Sequence, residues 1–200
     1  MNDAPLIRPA RPDDAPLAAV VFRLSMNRFA EHLFGADGHA AEIALMKLFS
    51  RNAGRFGYER AFVIEHHKRA LGMLIAFPGR DLTRLTLAPL RFLPLAFGWG
   101  MFGFIARALA FASVREAQAD EYYLSNLAVL PAMHGRGYGP RLLNYADEQA
   151  RACGLSKCSL LVSPRNKAAL RLYKKHGYEI VSTHHHKNPL ASYHRMVKQV

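Results

Sequence analysis

Three glycines in one short stretch give the clearest chemical signal in the sequence. His134-Gly135-Arg136-Gly137-Tyr138-Gly139-Pro140 follows an apolar run and precedes a stretch with helical periodicity. Glycine lets a backbone approach a ligand closely and turn its N–H groups inward. Those N–H groups, with a helix start behind them, suit an anion such as a pyrophosphate. Arg136 adds a cation able to make charge-assisted contacts to the same phosphates. Two better-known phosphate loops do not fit this turn, which is neither G-x-G-x-x-G nor G-x-x-x-x-G-K-[ST]. Taken alone, the same residues also suit a plain tight strand-to-helix turn.

Two further groups are candidates for metal chemistry. His184, His185 and His186 are adjacent. Side chains alternate along a strand, so three in a row do not converge on one ion, and no metal is expected. Cys153 and Cys158 have no Cys or His partners at zinc-ligand spacing. Two cysteines cannot build a secreted disulfide framework either. They read as reduced thiols of a cytoplasmic protein. The opening MNDAPLIRPARPDD has no apolar run of the kind a signal peptide needs.

The elements that must hold the glycine turn follow from periodicity. Leu6-Ile7 reads as a short strand. Pro12 then stands just inside a helix start, with Asp13 and Asp14 suited to its positive end. A second helix fits 38–52. Ala61–Glu65 and Ala70–Phe77 read as a hairpin around the polar turn His66–Arg69. Tyr122–Val129 is a strand that runs into the glycine turn, and Arg141–Cys153 is the helix that leaves it, with Gly154 as its stop. Lys157–Val162 is a strand, Asn166–His176 a helix, and Tyr178–Thr183 and Tyr193–Val197 are strands. No repeat or linker divides the chain, so residues 1–200 are expected to form one domain.

Composition bounds the partners. The chain has 200 residues, half of them hydrophobic, and a net charge of +12. Residues 141–200 hold eleven Lys or Arg against three acids. Such a field attracts phosphates, and it also serves simply as a solvated basic face. No zinc-finger pattern and no basic region followed by heptads is present, so a nucleic-acid partner is not expected.

The stretch LAVLPAMHGRGYGPRLL resembles the acetyl-coenzyme A loop of the GNAT acyltransferase superfamily, strand, then [QR]-x-x-G-x-[GA], then helix. The V-x-P of Val129-Leu130-Pro131, the glycines and Arg136 are in place, while His134 replaces the usual Gln or Arg. A second stretch, Asn166 to Tyr178, resembles the family's N-x-x-A-x-x-x-Y-x-x-x-G-[FY] helix at Asn166, Ala169, Tyr173, Gly177 and Tyr178. The opening IRPARPDDAPLAA also resembles the family's first strand and helix.

The resemblance implies an α/β (α+β) fold with a mixed, mostly antiparallel, splayed central sheet. It implies acetyl-coenzyme A as co-substrate, held by Leu127, Ala128 and Val129, by the loop His134, Gly135, Arg136, Gly137, Tyr138, Gly139 and Pro140, and by Asn166 and Tyr173. Backbone groups around Leu127 and Val129 would take the pantetheine amides, and one N–H there would polarise the thioester carbonyl. Tyr173 matches the tyrosine that protonates the leaving thiolate, and a phenol keeps its proton at neutral pH. Asn166 would hold the pantetheine arm, cap the helix, or both. The implied reaction is acetyl transfer to a primary amine of a small molecule or peptide. The alternative is a coenzyme A-binding module without turnover. Some members carry a glutamate base where this chain has Tyr123. Asp120, Glu121, Ser125 and the three histidines remain as candidates for that role.

One segment stands outside the resemblance, roughly 80–115. Between Arg91 and Arg107 lie fifteen residues without charge. A bilayer span needs about twenty, and Pro94, Gly98, Gly100 and Gly103 interrupt any straight helix, so no integral span is expected. The segment reads as short oily helices between the third and fourth strands. It is expected to pack protein on protein, as a lid beside the acceptor site or a homodimer surface, with Trp99 buried. A membrane-surface role is the alternative.

Overall fold

A strand whose two faces are both covered shows no polar alternation, and Arg69–Pro78 is such a strand, buried from Leu71 to Phe77. The computed structural model describes residues 4–26, 28–34, 38–109, 114–185 and 192–200. The strands are β1 (Leu6–Pro9), β2 (Ala61–His66), β3 (Arg69–Pro78), β4 (Tyr122–Val129), β5 (Lys157–Val162), β6 (Glu179–His184) and β7 (Tyr193–Gln199). They form one seven-stranded sheet in the order β1-β2-β3-β4-β5-β7-β6. The β4–β5 pair is parallel and the others are antiparallel.

Each face of the sheet carries its own core. Met73 and Ile75 of β3 join Val63 beneath helices α1 (Ala15–Met26), α2 (Arg28–Phe34) and α3 (Gly38–Ser50). Leu74 and Ala76 point the other way, with Ile64, Leu124 and Leu160, beneath α7 (Tyr138–Ala152) and α8 (Lys167–Lys175). The period of two along β3 therefore divides one apolar run between two cores. The β2–β3 hairpin turns at His67 and Lys68, both at positive φ, as a two-residue turn of this hand requires.

The β4–β5 pairing is short. Tyr122, Tyr123 and Leu124 pair with Cys158, Ser159 and Leu160, and the register stops there. On the other side of β4, partners jump from Asn126 opposite Ile75 to Leu124 opposite Ala76. Ser125 is thus the extra residue of a β-bulge, which bends a strand and breaks its ladder locally. Beyond it β4 follows β3 alone, and the sheet opens toward β5.

The oily segment lies between β3 and β4, as expected, but it is made of short turns. These include α4 (Leu82–Leu87), α5 (Leu93–Phe97) and α6 (Met101–Leu109), joined by 3-10 turns. By length and composition Gly79–Leu109 is long and apolar enough to cross a membrane, yet Gly98 at φ 52 interrupts it between α5 and α6. Leu93 and Phe104 enter the α1–α3 core, where the Phe34, Phe97 and Phe104 rings meet. Trp99 departs from expectation, being 88% exposed. The Gly98–Gly100 turn carries it outward, away from the aromatic cluster that receives its neighbours. The periodicity also gave no sign of α2, a helix of seven residues.

Candidate active site

The opening between β4 and β5 is a cleft of about 630 Å³. Its described walls come from the end of α1, from Leu124 to Leu127 of β4, from β5 and from the start of α8, including Asn166 and Tyr173. None of the described wall residues belongs to the 80–115 segment, so among the described residues that segment does not line this cleft.

The ladder phase decides which backbone groups of β4 face this cleft. The Leu130 amide donates to the Leu71 carbonyl at 2.8 Å, with Ala128 opposite Met73. In an antiparallel pair bonded and non-bonded positions alternate. Asn126 and Ala128 therefore commit their backbone to β3, and Leu127 and Val129 turn theirs toward the opening. Val129 confirms the direction, because its carbonyl accepts from His134 Nε2 at 2.8 Å. His134 thus ties the glycine turn to the strand end through its side chain, a role the sequence did not disclose.

The turn itself is shorter than expected. Helix α7 begins at Tyr138, with Gly137 as its N-cap at φ 81 and Gly135 at φ 76. Tyr138, Gly139 and Pro140 are its first turn rather than loop. The first N–H groups of a helix have no intrahelical partner, which leaves those of Tyr138 and Gly139 directed outward. Pro140 carries no N–H and cannot donate, and the Arg141 amide is already bonded to the Gly137 carbonyl. Arg136 is exposed, whereas the Tyr138 ring is buried and its hydroxyl lies 3.1 Å from His66 Nδ1. Tyr138 therefore offers its backbone, not its ring.

Asn166 caps α8, its Oδ1 accepting from the Ala169 amide at 3.0 Å. Tyr173 is buried on the inner face of α8, edge-on to Tyr178. Burial pushes the Tyr173 hydroxyl up to about 12, so it holds its proton throughout the neutral range.

A polar line missed by sequence reasoning underlies the α1 end of the cleft. Arg55 donates to both carboxylate oxygens of Glu116 at 2.7 and 2.6 Å, and the Tyr123 hydroxyl donates to Glu116 at 2.6 Å. Arg55 also donates to Ser125 Oγ at 3.3 Å. Ser125 donates to Asn126 Oδ1, Asn126 Nδ2 to Ser25 Oγ, and Ser25 to the Val21 carbonyl. Each serine hydroxyl has given its proton and keeps one lone pair able to accept. Burial works to raise the Glu116 carboxyl, but the Arg55 charge and the bonds from Arg55 and Tyr123 hold it below the ordinary carboxylate range. Burial, and then the Glu116 charge, raise the Tyr123 hydroxyl well above its usual value, which removes Tyr123 as a base. Only the bulged serine gave a hint, since Arg55 and Glu116 are distant in sequence and sit in no motif.

The remaining candidates lie elsewhere. Glu121 is buried and ion-paired to Arg195, not solvated, while exposed Asp120 pairs with Lys157. His184 stacks on Tyr193 at the end of β6, His185 is exposed, and His186 lies outside the described residues. Among the described residues no group of three His, Cys, Asp or Glu side chains gathers as a metal site.

Comparison with known proteins gives the family and the fold. The model of the acetyltransferase (GNAT) family fits residues 26–178. A GCN5-related N-acetyltransferase 6, chloroplastic, of Arabidopsis thaliana is 32% identical over 74 residues, 36% of this chain and 26% of that protein. The chain spans between 26% and 41% of the length of the curated relatives it matches. Among solved structures, an N-acetyltransferase from Staphylococcus aureus Mu50 superposes with a TM-score of 0.69 at 22% identity, over 96% of this chain and 99% of that one. The PaiA N-acetyltransferase of Thermoplasma acidophilum, solved with coenzyme A, gives 0.56 at 14% identity, over 98% and 99%. These structures share the fold.

Proposed function

The chain belongs to the acetyltransferase (GNAT) family, and from that premise we propose that it moves an acetyl group from acetyl-coenzyme A to a primary amine by direct attack. The observation that carries this reading is the open edge of β4 and the buried Tyr173 in one cleft. The residues present fit the co-substrate. Tyr138 and Gly139 offer outward N–H groups at the start of a fifteen-residue helix, a suitable seat for a pyrophosphate. The Leu127 and Val129 edge suits the amides of a pantetheine arm, and Asn166 has its Nδ2 donor left after capping.

Bound acetyl-coenzyme A would supply an activated thioester. The chain's own part is to fix charge and protons around it. A backbone N–H of the Leu127–Val129 edge stabilises negative charge on the carbonyl oxygen. Tyr173 Oη delivers its proton to the departing sulfur. On the acceptor side, the cleft walls contain no carboxylate or imidazole among the described residues. The lone pairs of Ser25 and Ser125 therefore receive the amine or a water that carries its proton away.

The test is thiol release from acetyl-coenzyme A across a panel of small amines and peptides. Release that depends on the amine, with matching acetylated product, supports the enzyme. Tight coenzyme A binding with no release from any amine would leave a binding module instead.

A further inference from the structure

We propose that the outer face of the α5–α6 segment is a docking surface for an anionic lipid bilayer. This does not rest on the acetyl-transfer reading.

The first observation is that α6 is apolar all round. Its inner side packs Phe104, with Met101, Ile105 and Ala108 beside it, on the α1–α3 core. Phe102, Ala106 and Leu109 share the opposite side at helical spacing and are exposed, Phe102 at 56% and Leu109 at 66%. A helix apolar on every side requires cover on every side. Arg107, the one charge in α6, folds inward to donate to the Leu33 carbonyl at 3.0 Å and leaves the outer face unbroken.

The second observation is the number of exposed apolar side chains on one segment. Trp99 stacks on Phe102 at 6.1 Å, and Leu95, Leu90 and Leu87 of the same segment are exposed as well. Such a patch marks a contact with a partner or a membrane. Tryptophan at the tip of a polar-apolar boundary suits a headgroup layer.

Charge selects the occupant. Residues 79–109 hold four arginines against the single acid Asp81, on a chain of net charge +12. Arg80, Arg84 and Arg91 are exposed, and the Arg91 guanidinium lies over the Phe92 ring at 4.6 Å. A two-fold interface would set this segment against its own copy, cation facing cation. An anionic bilayer meets both requirements, with acyl chains for Trp99, Phe102 and Leu109, and headgroups for the arginines.

The experiment uses the full chain and vesicles of phosphatidylcholine with or without phosphatidylglycerol. Trp99, the sole tryptophan, reports directly. Its emission should be red in buffer and shift blue on phosphatidylglycerol vesicles, with co-sedimentation that weakens as salt rises. Arg91→Glu should lower partitioning about fivefold or more. Trp99→Ala/Phe102→Ala should lower it on the order of tenfold, with circular dichroism and coenzyme A affinity unchanged because both rings are exposed. Absence of shift and pelleting at low salt overturns the proposal. So does undiminished pelleting of the double variant, which would place the contact on the basic 141–200 face. Blue emission without lipid, together with a concentration-dependent dimer, would assign the patch to a second copy.

Discussion

At the scale of single residues, protons and thiols give the sharpest tests. Tyr173→Phe keeps the ring in its packed site and removes only the hydroxyl. Turnover should fall by roughly 10²–10⁴-fold with cofactor affinity almost unchanged, as calorimetry and initial rates would register. A full-rate variant would assign the proton to another group. Because burial holds the Tyr173 hydroxyl near 12, the wild-type rate should show no loss from its ionisation up to about pH 10. The two cysteines differ in a way that bears on any thiol assay. Cys158 is fully buried and its thiol is pushed up to about 12 by burial and then by the Asp147 charge, whereas Cys153 is half-buried. A thiolate is the reacting form. Ellman's reagent should therefore titrate one thiol in the native protein and the second only on unfolding. Two fast thiols in the native state would mean that the β5 side of the core opens readily.

At the scale of elements, the strand-turn-helix unit of β4 and α7 holds the backbone that we propose seats the co-substrate. Gly137 sits at φ 81 with open space where a Cβ would project. Its value is thus conformational, since an L residue there costs about 1–2 kcal/mol. Gly137→Ala should lower stability by that amount and weaken coenzyme A binding, because the N–H groups of Tyr138 and Gly139 lose their aim. Unchanged affinity by calorimetry would remove the turn from the site. The order of strands and helices around this unit was legible in the sequence because periodicity, glycine stops and Pro12 agree. The Asn166–Tyr178 helix carried enough residue-level pattern to place Asn166 and Tyr173 in the cleft wall, whereas the described glycine turn does not line that cleft. Two features were not legible. The Ser125 bulge depends on how β3 and β4 pair, which residue types along one strand do not encode. The orientation of Trp99 depends on Gly98 and on which rings the α1–α3 core accepts, so a run of apolar residues with no polar marker looked uniformly buried.

At the scale of the whole molecule, the Arg55–Glu116–Tyr123 group ties together parts of the chain that meet only on folding. Arg55 follows α3, touches Thr86 of α4 at 3.5 Å, and reaches the β4 bulge, while Glu116 comes from the link between the oily segment and β4. The group therefore fastens the segment that we assign to lipid to the sheet that frames the cleft. Its charge makes the connection sensitive to acid. Glu116 is held below the ordinary carboxylate range in the folded chain by Arg55 and Tyr123, against the opposing effect of burial. A depressed folded pKa gives stability that is present above the unfolded carboxylate value, about 4.3, and is lost as pH falls through the folded value. Asp14, which burial would raise but the Arg8 pair and the Arg11 amide lower, adds to the same acid limb. Glu116→Gln should lower stability at pH 7 by about 2 kcal/mol, a value below that of a fully enclosed pair because both side chains retain some solvent contact. The two proteins should converge as pH falls from about 4.3 through the folded Glu116 value, since a protonated Glu116 and a glutamine both leave the Arg55 charge unmatched. Urea unfolding followed by circular dichroism at stepped pH would measure this. A constant offset between variant and wild type at every pH where the wild type still folds would mean that the carboxylate's shape, and not its charge, holds the segment in place.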